Sequence, residues 1–132
     1  MQPVVTTISP RFSETDALGH INNVSIVAWF ELARTDFLAA LAAGENLSPG
    51  DWVLASVQVD YLDEMFYGTD VTAQIIEATA GNSSLTLHGQ MFQDGRHTVR
   101  GKAVLVHLDS TTKATRRIPD AYRERLQAYA GG

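Results

Sequence analysis

The sequence contains no cysteine. Neither a disulfide framework nor a thiolate zinc site can therefore form, and the absence fits a reducing cytosol. No apolar run approaches the roughly 20 residues that a bilayer-spanning helix needs, so no membrane partner is expected. The stretch Met1 to Ile8 lacks a basic region followed by an apolar core, so no signal peptide is expected and a cytoplasmic location is. A Gly-rich phosphate loop is missing, as is the Gly-x-Ser-x-Gly elbow of serine hydrolases. Charged residues are only 19% of the chain, and the net charge of -5 argues against general nucleic-acid binding.

What is present suits an ordinary folded domain. The 132 residues are 45% hydrophobic, which predicts one compact domain over residues 1–132. Part of its apolar surface can serve a partner subunit. The positive charge is unevenly placed. Eight of the ten Lys and Arg residues lie between Arg96 and Arg125, opposed there only by Asp109, Asp120 and Glu124. A basic surface on an acidic protein can hold a polyanionic small molecule. The same residues can equally be solvated strand and helix faces.

The pattern along the chain predicts an α+β fold. Val4 to Arg11 reads as a short strand rich in β-branched residues. Ser13 to Asn23 is polar and reads as a loop. A helix should begin at Asn22 or Asn23, since Asn is a favoured N-cap. Val27, Phe30, Arg34, Phe37, Leu38 and Leu41 recur at helical spacing as a core-facing stripe. Glu31 and Arg34 are placed to pair, and Gly44 is a natural stop. Four strands follow: Trp52 to Tyr61, Asp70 to Ala78, Ser84 to Phe92 and His97 to Leu108. In the first of these, Val53, Ala55, Val57, Val59 and Tyr61 should share one face. Asp94-Gly95 is a two-residue hairpin signal. Pro119 suits the start of a short amphipathic helix carrying Tyr122, Leu126 and Tyr129. One long helix with a meander of antiparallel strands implies a sheet curled around that helix.

The segment Ser13 to Asn23 concentrates the chemistry. Glu14, Asp16, His20, Asn22 and Asn23 fall within ten residues, just ahead of an apolar helix. A helix N-terminus offers unpaired N–H groups and a positive dipole end. Such an end can stabilise an oxyanion, and a neighbouring carboxylate can act as a base or nucleophile. Each residue also has a structural reading. Asp16 can close an Asx turn, either Asn can be only a cap, and His20 can be a packed histidine. His88 and His97 flank the hairpin and could approach each other, but their spacing is not that of a metal site.

Arg11-Phe-Ser-Glu-Thr-Asp-Ala-Leu-Gly-His-Ile-Asn-Asn23, continued by Trp29-Phe-Glu-Leu-Ala-Arg34, resembles the hydroxybenzoyl-CoA thioesterase family. The resemblance implies a hot-dog fold, with one long helix wrapped by a curved antiparallel sheet of about five strands and a short C-terminal helix. It implies hydrolysis of an acyl-CoA thioester, without cofactor or metal, by a homodimer or homotetramer with active sites between chains. Asp16 matches the family's catalytic carboxylate. The backbone N–H of Asn23 would polarise the thioester carbonyl, and His20 and Asn22 would fix the loop or orient water. Arg96, Arg100, Lys113, Arg116 and Arg117 are candidates for the CoA phosphates. Two positions depart from the pattern. Glu14 stands where Asp is commoner, and Ile26 stands where many relatives carry Tyr, which bears on the acyl pocket. A hot-dog hydratase or dehydratase is the second reading, although its usual Asp-x-Asn-x-x-His is not matched after Asp16. A non-catalytic acyl-CoA-binding module is the third.

Overall fold

The computed structural model describes residues 3–43 and 51–130, without the side chains of residues 128–130. The Gly44 stop and the Tyr129 side chain lie outside the described residues. Strand β1 (Val5–Ile8) is followed by a 3-10 turn (Phe12–Glu14), the long helix α1 (Asn23–Ala42), β2 (Trp52–Tyr61), β3 (Val71–Ala80), β4 (Ser84–Gln93), β5 (Arg96–His107) and α2 (Asp120–Ala130). The five strands form one curved antiparallel sheet in the order β1-β3-β4-β5-β2. This is the hot-dog architecture. No helix among the described residues is long and apolar enough to cross a membrane.

Packing explains why the helix lies across the middle of the sheet. Gly89 and Gly101 face each other on β4 and β5. A Cβ on Gly89 would come within 2.8 Å of the Phe30 ring, and one on Gly101 within 2.6 Å. The paired glycines leave a hollow that this ring fills, and a bulkier residue there would push α1 off the sheet. Trp29, Ala33, Phe37 and Leu41 complete the buried face of α1. At the hairpin, Asp94 and Gly95 have φ of 53° and 73°. Both values are positive, as a tight two-residue turn requires. Tyr122 and Leu126 bury α2, and Arg125 donates to the Leu41 carbonyl at 3.1 Å, tying α2 to the end of α1.

Several local expectations are corrected. The first strand stops at Ile8, ahead of Pro10, which has no N–H to donate to a ladder. The predicted loop opens with the 3-10 turn. Val27 is not a core residue, being 36% exposed. Glu31 and Arg34 do not form an ion pair among the described residues. Arg34 instead lies buried over the Phe30 ring at 4.7 Å, while Glu31 is exposed. Burial lowers the pKa of this guanidinium, and the field of Glu31 works in the opposite direction.

In β2 the register slips at Ala55, between the pairs Leu54–Leu105 and Ser56–Val104. The extra residue reverses the alternation. Leu54 therefore joins Val57, Val59 and Tyr61 on one face, and Val53 goes to the other. His88 is paired with Lys102 and His97 with Phe92, so the two histidines do not meet.

Candidate active site

Asp16 sits in a loop pinned at both ends. Its N–H donates to the His20 carbonyl at 2.7 Å. Its Oδ1 accepts the Leu18 N–H at 2.8 Å and the His20 N–H at 3.1 Å. The Asx-turn reading is thus correct for one carboxylate oxygen. The other, Oδ2, has no hydrogen-bond partner among the described residues.

Glu14 anchors the loop from below. It is 8% exposed, and its carboxylate accepts the Arg11 N–H at 2.8 Å and the Trp29 indole N–H at 2.9 Å. Burial alone would raise its pKa. The Arg11 N–H, the Trp29 indole and the Arg11 guanidinium outweigh that and hold the carboxyl below its ordinary range. Glu14 is therefore an ionised strut between loop and helix.

Asn22 is the N-cap of α1, and its side chain accepts the Ser25 N–H at 2.8 Å. That bond and the Ile26 N–H bond to the Asn22 carbonyl occupy two donors of the first turn. The N–H groups of Asn23 and Val24 have no acceptor among the described residues. They form the electropositive end of a 20-residue helix.

These parts share one cavity of about 450 Å³, lined by Asp16, His20, Asn23, Ile26, Tyr61 and Glu64, among others. Ile26, which departs from the family pattern, is thus one of the lining residues. The segment 62–65 was not singled out in the sequence. It reaches the site because the Ile21 N–H bonds the Met65 carbonyl at 2.8 Å and His20 bridges to Phe66. Its only local signal is the acidic pair Asp63-Glu64, and nothing in the sequence ties that pair to residues some 40 positions away. β5 holds the segment rigidly. The Leu62 and Asp63 N–H groups donate to the Thr98 carbonyl, and Arg96 donates to the Glu64 carbonyl at 2.9 Å.

The five basic candidates are not gathered in one place. Arg96 pairs at 2.8 Å with Asp63, one of the residues that line the cavity. The hydrogen bond from Arg96, first among several causes, lowers the Asp63 pKa. Arg100 pairs with Asp60 at 3.1 Å. Arg116 pairs with Asp51 at 3.1 Å and Arg117 with Asp120 at 3.0 Å, and Lys113 is exposed. These last three lie on the loop beyond the far end of β5. At about 3.3 Å per residue, β5 puts them some 35 Å from the Arg96 end of the strand. Among the described residues, no three His, Cys, Asp or Glu side chains cluster as metal ligands.

Comparison with known proteins identifies the family. The model of the thioesterase-like superfamily matches residues 10–126. The uncharacterised protein YsmA of Bacillus subtilis (strain 168) is 31% identical over 121 residues, 90% of this chain and 82% of its own. A predicted thioesterase from Bacillus stearothermophilus is 35% identical with a TM-score of 0.86, over 97% of this chain and 96% of that one. A thioesterase complexed with coenzyme A and Zn, from Thermus thermophilus, is 30% identical with a TM-score of 0.84, over 97% and 94%. On these matches, which span nearly its whole length, the chain belongs to the thioesterase-like superfamily and is a thioester hydrolase of hot-dog fold.

Proposed function

We propose that this enzyme hydrolyses an acyl-CoA thioester to the free acid and CoA, using the Asp16 carboxylate and the N-terminus of α1. One observation carries the reading. The free Oδ2 of Asp16 and the unpaired Asn23 N–H belong to residues lining a single cavity. A carbonyl oxygen lodged on that N–H gains stabilisation as it becomes an oxyanion. The carboxylate either attacks the carbonyl carbon, giving an anhydride that water cleaves, or takes a proton from an attacking water. The solved Thermus thermophilus relative bound to coenzyme A supports CoA as the carrier.

The working unit is a homodimer joined through β2. This edge strand is ten residues long and carries the exposed apolar side chains Val53, Leu54, Val57 and Tyr61. An open apolar edge of that length invites pairing. A two-fold axis makes the two β2 strands antiparallel. The Asp51 end of one chain then lies beside the Tyr61 end of the other. Lys113, Arg116 and Arg117 of one protomer are thereby brought toward the Asp16 cavity of its partner, where the CoA phosphates need cations.

The test is thiol release from a panel of acyl-CoAs. Turnover of at least one member is expected. Hydration of an enoyl-CoA without thiol release would point instead to a hydratase, and CoA-ester binding without turnover to a binding module.

A further inference from the structure

We propose that His20 and Glu64 act together as the proton carrier of this site, with His20 taking a proton from the hydrolytic water and Glu64 stabilising the imidazolium that results. The inference rests on the reading of Asp16 as the group that attacks the thioester.

The geometry is specific. His20 Nε2 lies 3.4 Å from Glu64 Oε2, and both residues line the cavity that holds Asp16 and Asn23. The Phe66 ring meets the imidazole edge-on at 5.1 Å and fixes its plane. Glu64 stands at ion-pair distance from one ring nitrogen. The other, Nδ1, has no partner among the described residues, and the side chain is 27% exposed. A ring with one nitrogen on a carboxylate and the other free at a cavity is the arrangement of a general base. The 3.4 Å separation suits a site without substrate, where such contacts are looser than in the working complex.

Stability does not account for the pair. The Glu64 side chain is 61% exposed, and ion pairs that open to solvent contribute little. The segment 61–66 is already secured by other bonds. Gln93, 1% exposed, accepts the Phe66 N–H at 2.9 Å and donates to the Phe66 carbonyl at 2.7 Å. Arg96 and Thr98 hold the residues before it. The Glu64 carboxylate is free of these duties.

An Asp16 carboxylate oxygen bonds to the acyl carbon as the carbon–sulfur bond breaks, and CoA departs as the thiolate. Water then adds to the acyl carbon of the anhydride while its proton passes to His20 Nδ1. The carbon–oxygen bond to Asp16 breaks and restores the carboxylate. His20 returns its proton to solvent, and the departed thiolate takes up a proton there to become the thiol.

The experiment combines His20→Ala and Glu64→Gln with chemical rescue. In His20→Ala, kcat should fall about 100-fold. Thiol release should begin with a stoichiometric burst, because acylation of Asp16 outpaces hydrolysis of the anhydride. Added imidazole should restore the slow phase, which no structural role of His20 would allow. In Glu64→Gln, kcat should fall roughly 10-fold with KM unchanged. Absence of both burst and rescue in a folded His20→Ala protein overturns the proposal. Should His20→Ala fail to fold, Glu64→Gln decides: an unchanged kcat overturns the proposal and the loss in kcat alone sustains it. The Asp16 reading fails separately, if Asp16→Ala turns over as fast as wild type.

Discussion

Replacing Glu14 by Ala should cost about 2–4 kcal/mol of folding stability, through one buried indole N–H. Trp29 is 2% exposed, so once Glu14 is gone its buried Nε1 loses the acceptor it now holds at 2.9 Å. Orphaning a buried donor costs roughly 1–3 kcal/mol, and the lost bond is charge-assisted. The Arg11 N–H, the other donor, belongs to an exposed residue and can turn to solvent. For a chain of this length the loss corresponds to a fall in Tm of roughly 10 °C.

A double-variant cycle isolates the effect. Trp29→Phe removes the donor, so Glu14→Ala should cost clearly less in that background. The pH dependence gives a second check, and its sign is fixed. The folded pKa of Glu14 is depressed below 4.5. Its contribution is therefore fully present above that value and is lost as pH falls through the folded pKa. Urea melts of wild type and Glu14→Gln should converge below pH 4.5. A stability difference that stays constant across that range, or a full Glu14→Ala cost in the Trp29→Phe background, would refute the strut.

Other outcomes follow from the same structure. Gly101→Ala should destabilise by about 1–3 kcal/mol in a urea melt, because the new methyl overlaps the Phe30 ring. Alanine at Lys113, Arg116 and Arg117 together should raise KM for acyl-CoA and leave kcat unchanged. The same variant should not alter KM for a thioester of N-acetylcysteamine, which has no phosphates. Lysine at Leu54 and Val57 should turn the proposed dimer into monomers in sedimentation, since both side chains stand exposed on the open β2 edge. A dimer that survives this change must use another surface.

The sequence made the architecture legible wherever period and turn chemistry agreed. Asn22 marked the start of α1, and Asp94-Gly95 marked the hairpin between β4 and β5. The bulge at Ala55 was not legible. An extra residue in an edge strand leaves the local pattern unbroken and emerges only when the register against β5 is known. The Asp16 loop was visible because its residues are close in sequence. Glu64 was not, because a long helix and a strand separate it from His20. The role of Glu14 was half-visible. Its position in the motif was plain, but its partner on the buried face of α1 depends on which side of the helix Trp29 takes. For the basic residues, composition showed the cluster, while the structure divides it between the two ends of β5.

The proposed function stands or falls with the Asp16 carboxylate. Single-turnover thiol release from an acyl-CoA that the wild type accepts, repeated with Asp16→Asn, tests it most directly. Asparagine keeps the oxygen that accepts the Leu18 and His20 N–H groups, so the loop should hold its shape and the melting curve should stay close to that of wild type. The rate should be at least about tenfold lower, as befits removal of a nucleophile or base. A folded Asp16→Asn protein that releases thiol at the wild-type rate would contradict the proposed function.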